Sequence, residues 1–182
     1  MTNQFRSHFR PSIMDKLNTL WFKLKGVSIG KNSYVQFGAK IERFYKNVSI
    51  GEETIIKPHA RICCCNKNSL IKIGDSVSIG HYTFIYASSE IRIGDKCMIA
   101  PFNYIVDSNH KIEKEKESFS SGNVCVPIII EANCWLGQNS TILAGSIMRS
   151  GSILGAKSLL NSEINQNEIF VGIPAKLKGI RK

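Results

Sequence analysis

The chain is 182 residues long, with 24 lysines and arginines against 14 aspartates and glutamates, and its formal net charge is +10. Hydrophobic residues make up 43% and charged residues 21% of the sequence, which is typical of a globular domain and excludes a disordered or collagen-like chain. No run approaches the roughly 18 consecutive apolar residues of a membrane span, and the N-terminal segment lacks the features of a signal peptide. We therefore expect a cytoplasmic protein with one folded domain.

The positive charge is concentrated at the two ends. Residues 1–26 carry five basic side chains and one acid, and the last thirteen residues carry four basic side chains and no acid. Basic ends can meet polyanions such as nucleic acid, anionic lipid or a phosphorylated cofactor. Because no nucleic-acid-binding motif accompanies them, we expect no nucleic-acid partner, and the cofactor and the lipid remain open.

The first predicted element is an amphipathic helix over residues 12–25, with Ser12 as its N-cap and Gly26 as its stop. Its apolar stripe consists of Ile13, Leu17, Leu20, Trp21 and Leu24. Two interpretations remain open. The helix can cover the end of the domain that follows, or it can make a peripheral membrane contact with its basic side chains on lipid phosphates.

A period of six residues dominates the rest of the chain. Large apolar side chains recur at every sixth position at Ile130, Leu136, Ile142, Met148, Leu154 and Leu160. A small side chain follows each of the first five by four residues, at Cys134, Ser140, Ser146, Ser152 and Ser158. Similar runs begin upstream at Ile29, Ile50, Ile73 and Ile93.

This period fits neither an α-helix nor a simple alternating strand. It predicts a triangular prism in which each face contributes one six-residue unit, with the large apolar and the small side chains pointing inward. The upstream runs start more than three units apart, so extra residues should bulge out at one corner of each coil. The alternative, a β-sandwich, would alternate with a period of two and no six-residue phase.

The longest interruption of the repeat falls between Ile105 and Ile128 and is polar, charged and without a strand pattern. A long loop on a rigid repeat scaffold often carries function. His110 stands at its start, where the scaffold should fix the backbone. Imidazole in general titrates near neutral pH, with a pKa of about 6.5, and is suited to remove a proton from a hydroxyl.

These residues resemble the hexapeptide-repeat acyltransferases, over about residues 27–180 and most strongly from Pro127 to Lys178. The likeness is to the branch of galactoside, maltose and surface-polysaccharide O-acetyltransferases. It implies an all-β fold, a left-handed parallel β-helix with a short N-terminal α-helix and an extended loop, assembled as a homotrimer with active sites between subunits. Two positions depart from the family pattern, at Met148-Arg149 and at Lys157.

The predicted domain organisation has three parts. Residues 1–26 form a basic N-terminal helical cap, and residues 27–160 form the β-helix with a loop inserted at 107–127. Residues 161–182 form a C-terminal strand and a basic tail.

The resemblance also implies the site residues. The segment from Asp107 to His110 resembles the family's catalytic-histidine motif, which implies that His110 is the general base, with Asp107 a candidate for orienting its ring. The expected donor is acetyl-CoA, and the positions matching its contacts are Trp135, Gln138, Ala156, Asn161 and Lys176. The expected acceptor contacts are Asp107, Asn109, His81 and Tyr82. A solvated basic tail remains an alternative for the C-terminal lysines.

The function implied is an acetyl-CoA-dependent O-acetyltransferase acting on a sugar hydroxyl of a bacterial surface polysaccharide precursor, such as an O-antigen or capsule. Two alternatives remain: an N-acyltransferase on an amino-sugar nucleotide, and a catalytically silent β-helix scaffold. A zinc site of the γ-carbonic anhydrase type is disfavoured because no two histidines stand five residues apart. The six cysteines form no CxxC pair, so we expect free thiols and no metal.

Overall fold

The computed structural model describes residues 9–112, 114 and 122–182. These residues form one α-helix, a short 3-10 helix and a series of short strands. In chain order the elements are α1 (Ile13–Leu24), β1 (Ser28–Ile29), β2 (Tyr34–Val35), β3 (Lys40–Arg43), the 3-10 helix (Tyr45–Asn47), β4 (Val48–Ile50), β5 (Ile55–Ile56), β6 (Arg61–Cys64), β7 (Leu70–Ile73), β8 (Ser78–Ile79), β9 (Phe84–Ala87), β10 (Glu90–Ile93), β11 (Met98–Ile99), β12 (Tyr104–Val106), β13 (Ser108–His110), β14 (Asn123–Cys125), β15 (Ile128–Ile130), β16 (Trp135–Leu136), β17 (Thr141–Ile142), β18 (Ile147–Met148), β19 (Ile153–Leu154), β20 (Leu159–Leu160), β21 (Glu163–Ile164), β22 (Glu168–Gly172) and β23 (Ala175–Ile180).

The strands stack into the three faces of a prism. Face A is β1-β4-β7-β10-β15-β18-β21, face B is β2-β5-β8-β11-β16-β19-β22, and face C is β3-β6-β9-β12-β17-β20. Neighbouring strands within each face run parallel. Each coil visits faces A, B and C in that order, so the edges between them are named the A–B, B–C and C–A corners. This arrangement is the prism predicted from the six-residue period.

The inward side of each face carries one large apolar side chain per coil. On face C this column consists of Ile41, Ile62, Ile85, Ile105, Ile142 and Leu160, which stand in register and are at most 2% exposed. Close packing of these side chains away from water is the main stabilising contribution to the prism. The inward position of the predicted apolar series is confirmed, and Met148 is fully buried like its neighbours.

The small side chains of the repeat form hydrogen-bonded ladders inside the corners. At the B–C corner the Ser140 N–H donates to Asn103 Oδ1 at 3.0 Å, and the Ser140 hydroxyl donates to the Gly155 carbonyl at 2.8 Å. The Ser158 N–H in turn donates to Ser140 Oγ at 3.4 Å. Each small polar residue thus satisfies backbone groups that the turning chain leaves unpaired between coils.

Helix α1 closes the first coil, and its apolar stripe lies on the side that faces away from the prism. The five residues of the apolar stripe are 52–76% exposed, whereas Asp15, Thr19 and Phe22 are buried against the prism. The helix therefore covers the coil with its polar side and Phe22, and the apolar stripe takes no part in this contact. The edge of the first coil presents backbone donors and acceptors at residues 35–37, and polar side chains of α1 pair with them.

The parallel stacking continues past the predicted boundary at residue 160. Strand β21 extends face A beside β18, and β22 extends face B beside β19. Strand β23 then turns back after Ile173-Pro174 and pairs antiparallel with β22. The boundary was misplaced because the last coil is two residues shorter than the one before it, which breaks the six-residue phase after Leu160.

All six cysteines are unpaired thiols, and Cys64, Cys97 and Cys134 are fully buried. Among the described residues, no helix has the length and apolar character needed to cross a bilayer.

The corner ladder predicts a measurable loss of stability for Ser140→Ala. The substitution leaves the Ser158 N–H and the Gly155 carbonyl without their partner inside the prism, which should cost about 1–3 kcal/mol of unfolding free energy. Denaturant unfolding followed by circular dichroism measures this change. The matched control is Ser162→Ala at an exposed corner position, which should change stability by less than about 0.5 kcal/mol. Equal effects of the two substitutions would contradict the ladder.

Candidate active site

The inserted segment leaves the prism at the C–A corner and begins as a strand pair. Strands β13 and β14 run antiparallel, with His110 opposite Asn123. The Lys111 N–H extends the pairing to the Gly122 carbonyl at 3.0 Å. The expectation of a segment without strands is therefore wrong here, because this pairing satisfies backbone groups that have left the prism. Residues 113 and 115–121 lie outside the described residues.

The same corner takes up the extra residues of the earlier coils. They lie between β3 and β4, between β6 and β7, and between β9 and β10. This confirms the expected bulges at one corner, and the β13–β14 stem is the largest of the series. Asn109 and His110 are exposed on this stem, so the imidazole is accessible from solvent on a backbone fixed at one end by the prism.

Asp107 anchors the base of the stem. Its carboxylate accepts the Ser88 N–H at 2.6 Å through Oδ1 and the Ser89 N–H at 2.7 Å through Oδ2, and its own carbonyl accepts the Val126 N–H at 2.9 Å. The residue is 0% exposed. It thus ties the previous coil to both strands of the stem.

This placement gives Asp107 a structural role, and its roles as an acceptor contact and as the group that orients the His110 ring stay predictions. Both oxygens of the buried carboxylate accept backbone amides of the previous coil, so the side chain holds the stem to the prism. Burial raises its pKa above the ordinary value, although the amides of residues 88–90 act in the opposite direction. A raised folded-state pKa means that this group's contribution to stability declines as the pH rises through that pKa. Asp107 is a positioning residue for the stem.

Trp135 lies on the outer side of face B, in an apolar groove. It stands in register with Met98 on one side and Ile153 on the other. The groove has a volume of about 280 Å³ and is lined by Lys57, Ser78, Gly80, Met98, Ile99, Ala100, Pro101 and Trp135. The indole is 45% exposed, so this groove offers a long apolar ligand a surface to lie along.

Gln138 and Ala156 meet in a second pocket, at the adjoining B–C corner. This pocket has a volume of about 300 Å³ and also contains Phe102, Asn139 and Lys157. The coils approach closely here: a Cβ on Gly137 would clash with the Ala156 backbone nitrogen. Since Phe102 directly follows a residue of the groove, the pocket and the groove adjoin. Three of the five predicted donor contacts therefore lie on one continuous surface.

The other two predicted donor contacts lie apart from each other. Lys176 is exposed on β23, opposite Val171 at the end of face B that leads to the B–C corner. Asn161 is exposed at the C–A corner, directly after β20. Asn161 is therefore on the side of the prism that carries the stem.

His81 and Tyr82 lie at the B–C corner, where Tyr82 belongs to an aromatic column that sequence reasoning missed. His59, Tyr82 and Phe102 stack with ring centroids 4.8 and 5.2 Å apart and nearly parallel planes. All three have a positive φ, between 54° and 64°, because they occupy the same turn position in successive coils. Aligning the coils on their insertions would have revealed this column.

The stem and the donor-type pockets lie on opposite sides of one prism. The C–A corner is the only edge that face B does not touch, so His110 and Trp135 of the same chain face away from each other. Among the described residues, no three His, Cys, Asp or Glu side chains converge to hold a metal ion.

The sequence of this chain is similar to a known protein family and to a known protein. A family model described as the hexapeptide repeat of succinyl-transferase matches residues 127–158. The chain is 31% identical over 116 residues to WbbJ of Escherichia coli K12, a protein named as a lipopolysaccharide biosynthesis O-acetyl transferase. The match covers 59% of each chain, so it spans less than two thirds of WbbJ.

Two solved structures show the same architecture. AntD from Bacillus cereus, an N-acyltransferase in complex with dTDP and 3-hydroxybutyryl-CoA, superposes with a TM-score of 0.77 at 21% identity, over 90% of this chain and 88% of AntD. A hexapeptide-repeat acetyltransferase from Vibrio cholerae, complexed with acetyl coenzyme A, gives 0.61 at 22% identity, over 94% and 80%. These likenesses confirm the predicted fold, a left-handed parallel β-helix.

The anchoring role of Asp107 predicts that Asp107→Asn destabilises the C–A corner. An amide side chain can accept only one of the two N–H groups and turns its own NH₂ toward the other, which should cost about 1–3 kcal/mol. The fall in melting temperature measures this loss. The control is Asp95→Asn, because Asp95 accepts a single N–H, from Asp75 through Oδ1, and asparagine keeps that acceptor. A loss at position 95 equal to that at 107 would refute the anchor.

Proposed function

We infer that the chain is an acyltransferase of the hexapeptide-repeat superfamily, because it carries that repeat over residues 127–158 and resembles WbbJ in sequence. We propose that it moves an acetyl group from acetyl-CoA to a sugar hydroxyl of a bacterial surface polysaccharide precursor, such as an O-antigen or capsule. The observation that carries the proposal is the exposed imidazole of His110 on a stem that Asp107 ties to a rigid prism. The O-acetyl transferase name of WbbJ supports the acceptor class.

In the proposed reaction His110 acts as general base. Its unprotonated ring nitrogen takes the proton of the acceptor hydroxyl while the oxygen attacks the thioester carbonyl. The C–S bond then breaks, and the imidazolium returns its proton to the departing thiolate. Asn109 precedes His110 on the same exposed strand and remains a predicted acceptor contact.

The donor surface fits coenzyme A in its chemistry. The apolar groove beside Trp135 and Met98 suits the pantetheine arm, whose contacts with protein are largely apolar and backbone in character. Lys157 at the neighbouring pocket and Lys176 at the end of face B offer positive charge to nucleotide phosphates. We therefore expect Lys157, the lysine that departs from the family pattern, to contribute to donor binding.

The proposed active site is shared between two chains of a homotrimer. Because His110 and the donor surface lie on opposite sides of one prism, the stem of one chain has to approach face B of its neighbour. Asn161, which lies at the stem corner, would then contact a donor held mainly by the neighbouring chain. Cyclic assembly brings two different surfaces of identical chains together in this way.

A second candidate function is N-acyl transfer to an amino sugar, because AntD is an N-acyltransferase with a nucleotide bound. At 21% identity that likeness shows the fold alone. The product distinguishes the two reactions, since mild base cleaves an acetyl ester and leaves an amide intact. A silent scaffold is the third reading, and it requires that the protein bind no acyl-CoA.

The role of His110 predicts that His110→Ala lowers the transfer rate by at least about 10²-fold, since the base is lost from the reaction. The measurement is release of free coenzyme A from acetyl-CoA in the presence of a panel of sugars and amino sugars. Lys31→Ala is the control, because Lys31 is exposed on the first coil, and it should leave the rate unchanged. If wild type and His110→Ala turn over a true acceptor at equal rates, His110 is not the general base. If calorimetry detects no binding of acetyl-CoA to the wild-type protein, the chain is a silent scaffold.

The shared site predicts complementation between two inactive variants. His110→Ala removes the base, and Ala156→Glu blocks the donor pocket. Co-expression of the two chains should restore activity, because about one quarter of the interfaces in randomly mixed trimers join an intact stem to an intact donor surface. The reference is a mixture of wild type with chains that carry both substitutions, because it contains the same fraction of intact interfaces. Mixed variants that stay as inactive as each alone would place the whole site within one chain.

A further inference from the structure

Helix α1 turns a continuous apolar surface away from the protein. At 100° per residue, the stripe residues and Met14 fall within about one third of the helix circumference, opposite the side that faces the prism. These six side chains are 47–76% exposed. A soluble monomer usually exposes apolar side chains singly rather than as an ordered row, so this surface calls for a partner.

The orientation of α1 is fixed by specific hydrogen bonds. Asn18 Nδ2 donates to the Val35 and Gln36 carbonyls at 3.1 and 3.0 Å, and the Val35 N–H donates to Thr19 Oγ1 at 3.0 Å. The Phe37 N–H donates to Asp15 Oδ1 at 2.8 Å. Rolling the stripe inward would break all of these bonds, so the apolar surface is held outward by the fold.

The charged side chains of residues 13–25 that border the stripe are all lysines. Lys16 and Lys23 lie along one edge of it, and Lys25 lies along the other, with its Nζ 4.7 Å from the centre of the Trp21 ring. The only acid of the helix, Asp15, is buried on the opposite side. Lys16, Lys23 and Leu20 also line a cleft of about 210 Å³ between α1 and the first coil. Lysines thus flank the apolar stripe, and Lys16 and Lys23 line a cleft that is large enough for a phosphate group.

We propose that α1 docks the protein onto an anionic lipid bilayer, lying in the plane of the interface with its stripe among the acyl chains. An apolar stripe bordered by lysines, with a tryptophan at its edge, matches the chemistry of a phospholipid surface. A second copy of the helix matches it less well, because two such faces would bring six lysines together without an acid. The proposal concerns where the chain sits, and it stands or falls independently of acyl transfer.

The test is co-sedimentation of the full chain with vesicles. Vesicles of phosphatidylcholine mixed with phosphatidylglycerol should bind the protein more tightly than pure phosphatidylcholine. High salt should weaken the binding, because the Debye length falls to about 3 Å at 1 M ionic strength. In a Trp135→Phe background Trp21 is the only tryptophan, and its fluorescence should shift to the blue on binding as the indole leaves water.

Two pairs of substitutions separate the apolar and the charged contributions. Leu17→Ser with Leu20→Ser should weaken vesicle binding by at least about tenfold, and Lys16→Gln with Lys23→Gln by about 25-fold, about fivefold for each lysine. Their controls are Leu177→Ser with Ile180→Ser, which are exposed on β23, and Lys72→Gln with Lys96→Gln, which are exposed elsewhere. The controls should bind as wild type does. All four leucine and isoleucine side chains are more than half exposed, so melting temperatures should stay near that of wild type.

Three results would overturn the proposal. The first is equal binding to anionic and neutral vesicles, and the second is unchanged binding by both α1 pairs. The third is a wild-type protein that does not bind vesicles and that elutes from a size-exclusion column as a larger species than the Leu17→Ser/Leu20→Ser variant. That outcome would assign the stripe to a second copy of this chain.

Discussion

The hydrogen-bond ladder between successive coils is the constraint on which the rest of the structure depends. Strands of two to five residues on three faces pair in parallel with the strands above and below, so an extra residue within a face would shift every partner beyond it. Insertions are therefore confined to the corners. The C–A corner takes the bulges of the early coils and then the β13–β14 stem, and in this way a regular scaffold presents the exposed His110 outside its repeat.

Much of the fold was predictable because one physical rule repeats along the chain. An inward aliphatic residue at every sixth position and a small residue four further on are both required by the narrow interior, so the sequence displays them directly. The orientation of α1 was not predictable from its pattern. Amphipathicity suggested that the apolar side would face the protein, whereas the open edge of the first coil offers backbone groups at residues 35–37 that need polar partners. The shortened last coil was missed for a related reason, since its two missing residues hide the period.

The candidate site also has features that the sequence predicts and features that it does not. The resemblance identified Trp135, Gln138 and Ala156, and these three prove to be neighbours on one surface. The role of Asp107 depends on which backbone N–H groups of the preceding coil lack a partner at the corner. The amino-acid sequence alone does not reveal that the Ser88 and Ser89 N–H groups pair with it. The aromatic column of His59, Tyr82 and Phe102 depends on the irregular spacing of the coils, so it becomes visible only once the bulges are aligned.

The reversal of direction at β23 has a consequence for solubility. A stack of parallel strands ends in an open row of backbone groups that could accept another molecule and grow without limit. Here the last full strand of face B is covered by a strand running the opposite way, which carries the exposed Lys176 and Lys178. An incoming chain meets mismatched polarity and like charge on this side, while polar side chains of α1 occupy the first coil at the other end. Further parallel stacking on face B is therefore blocked at this end of the prism.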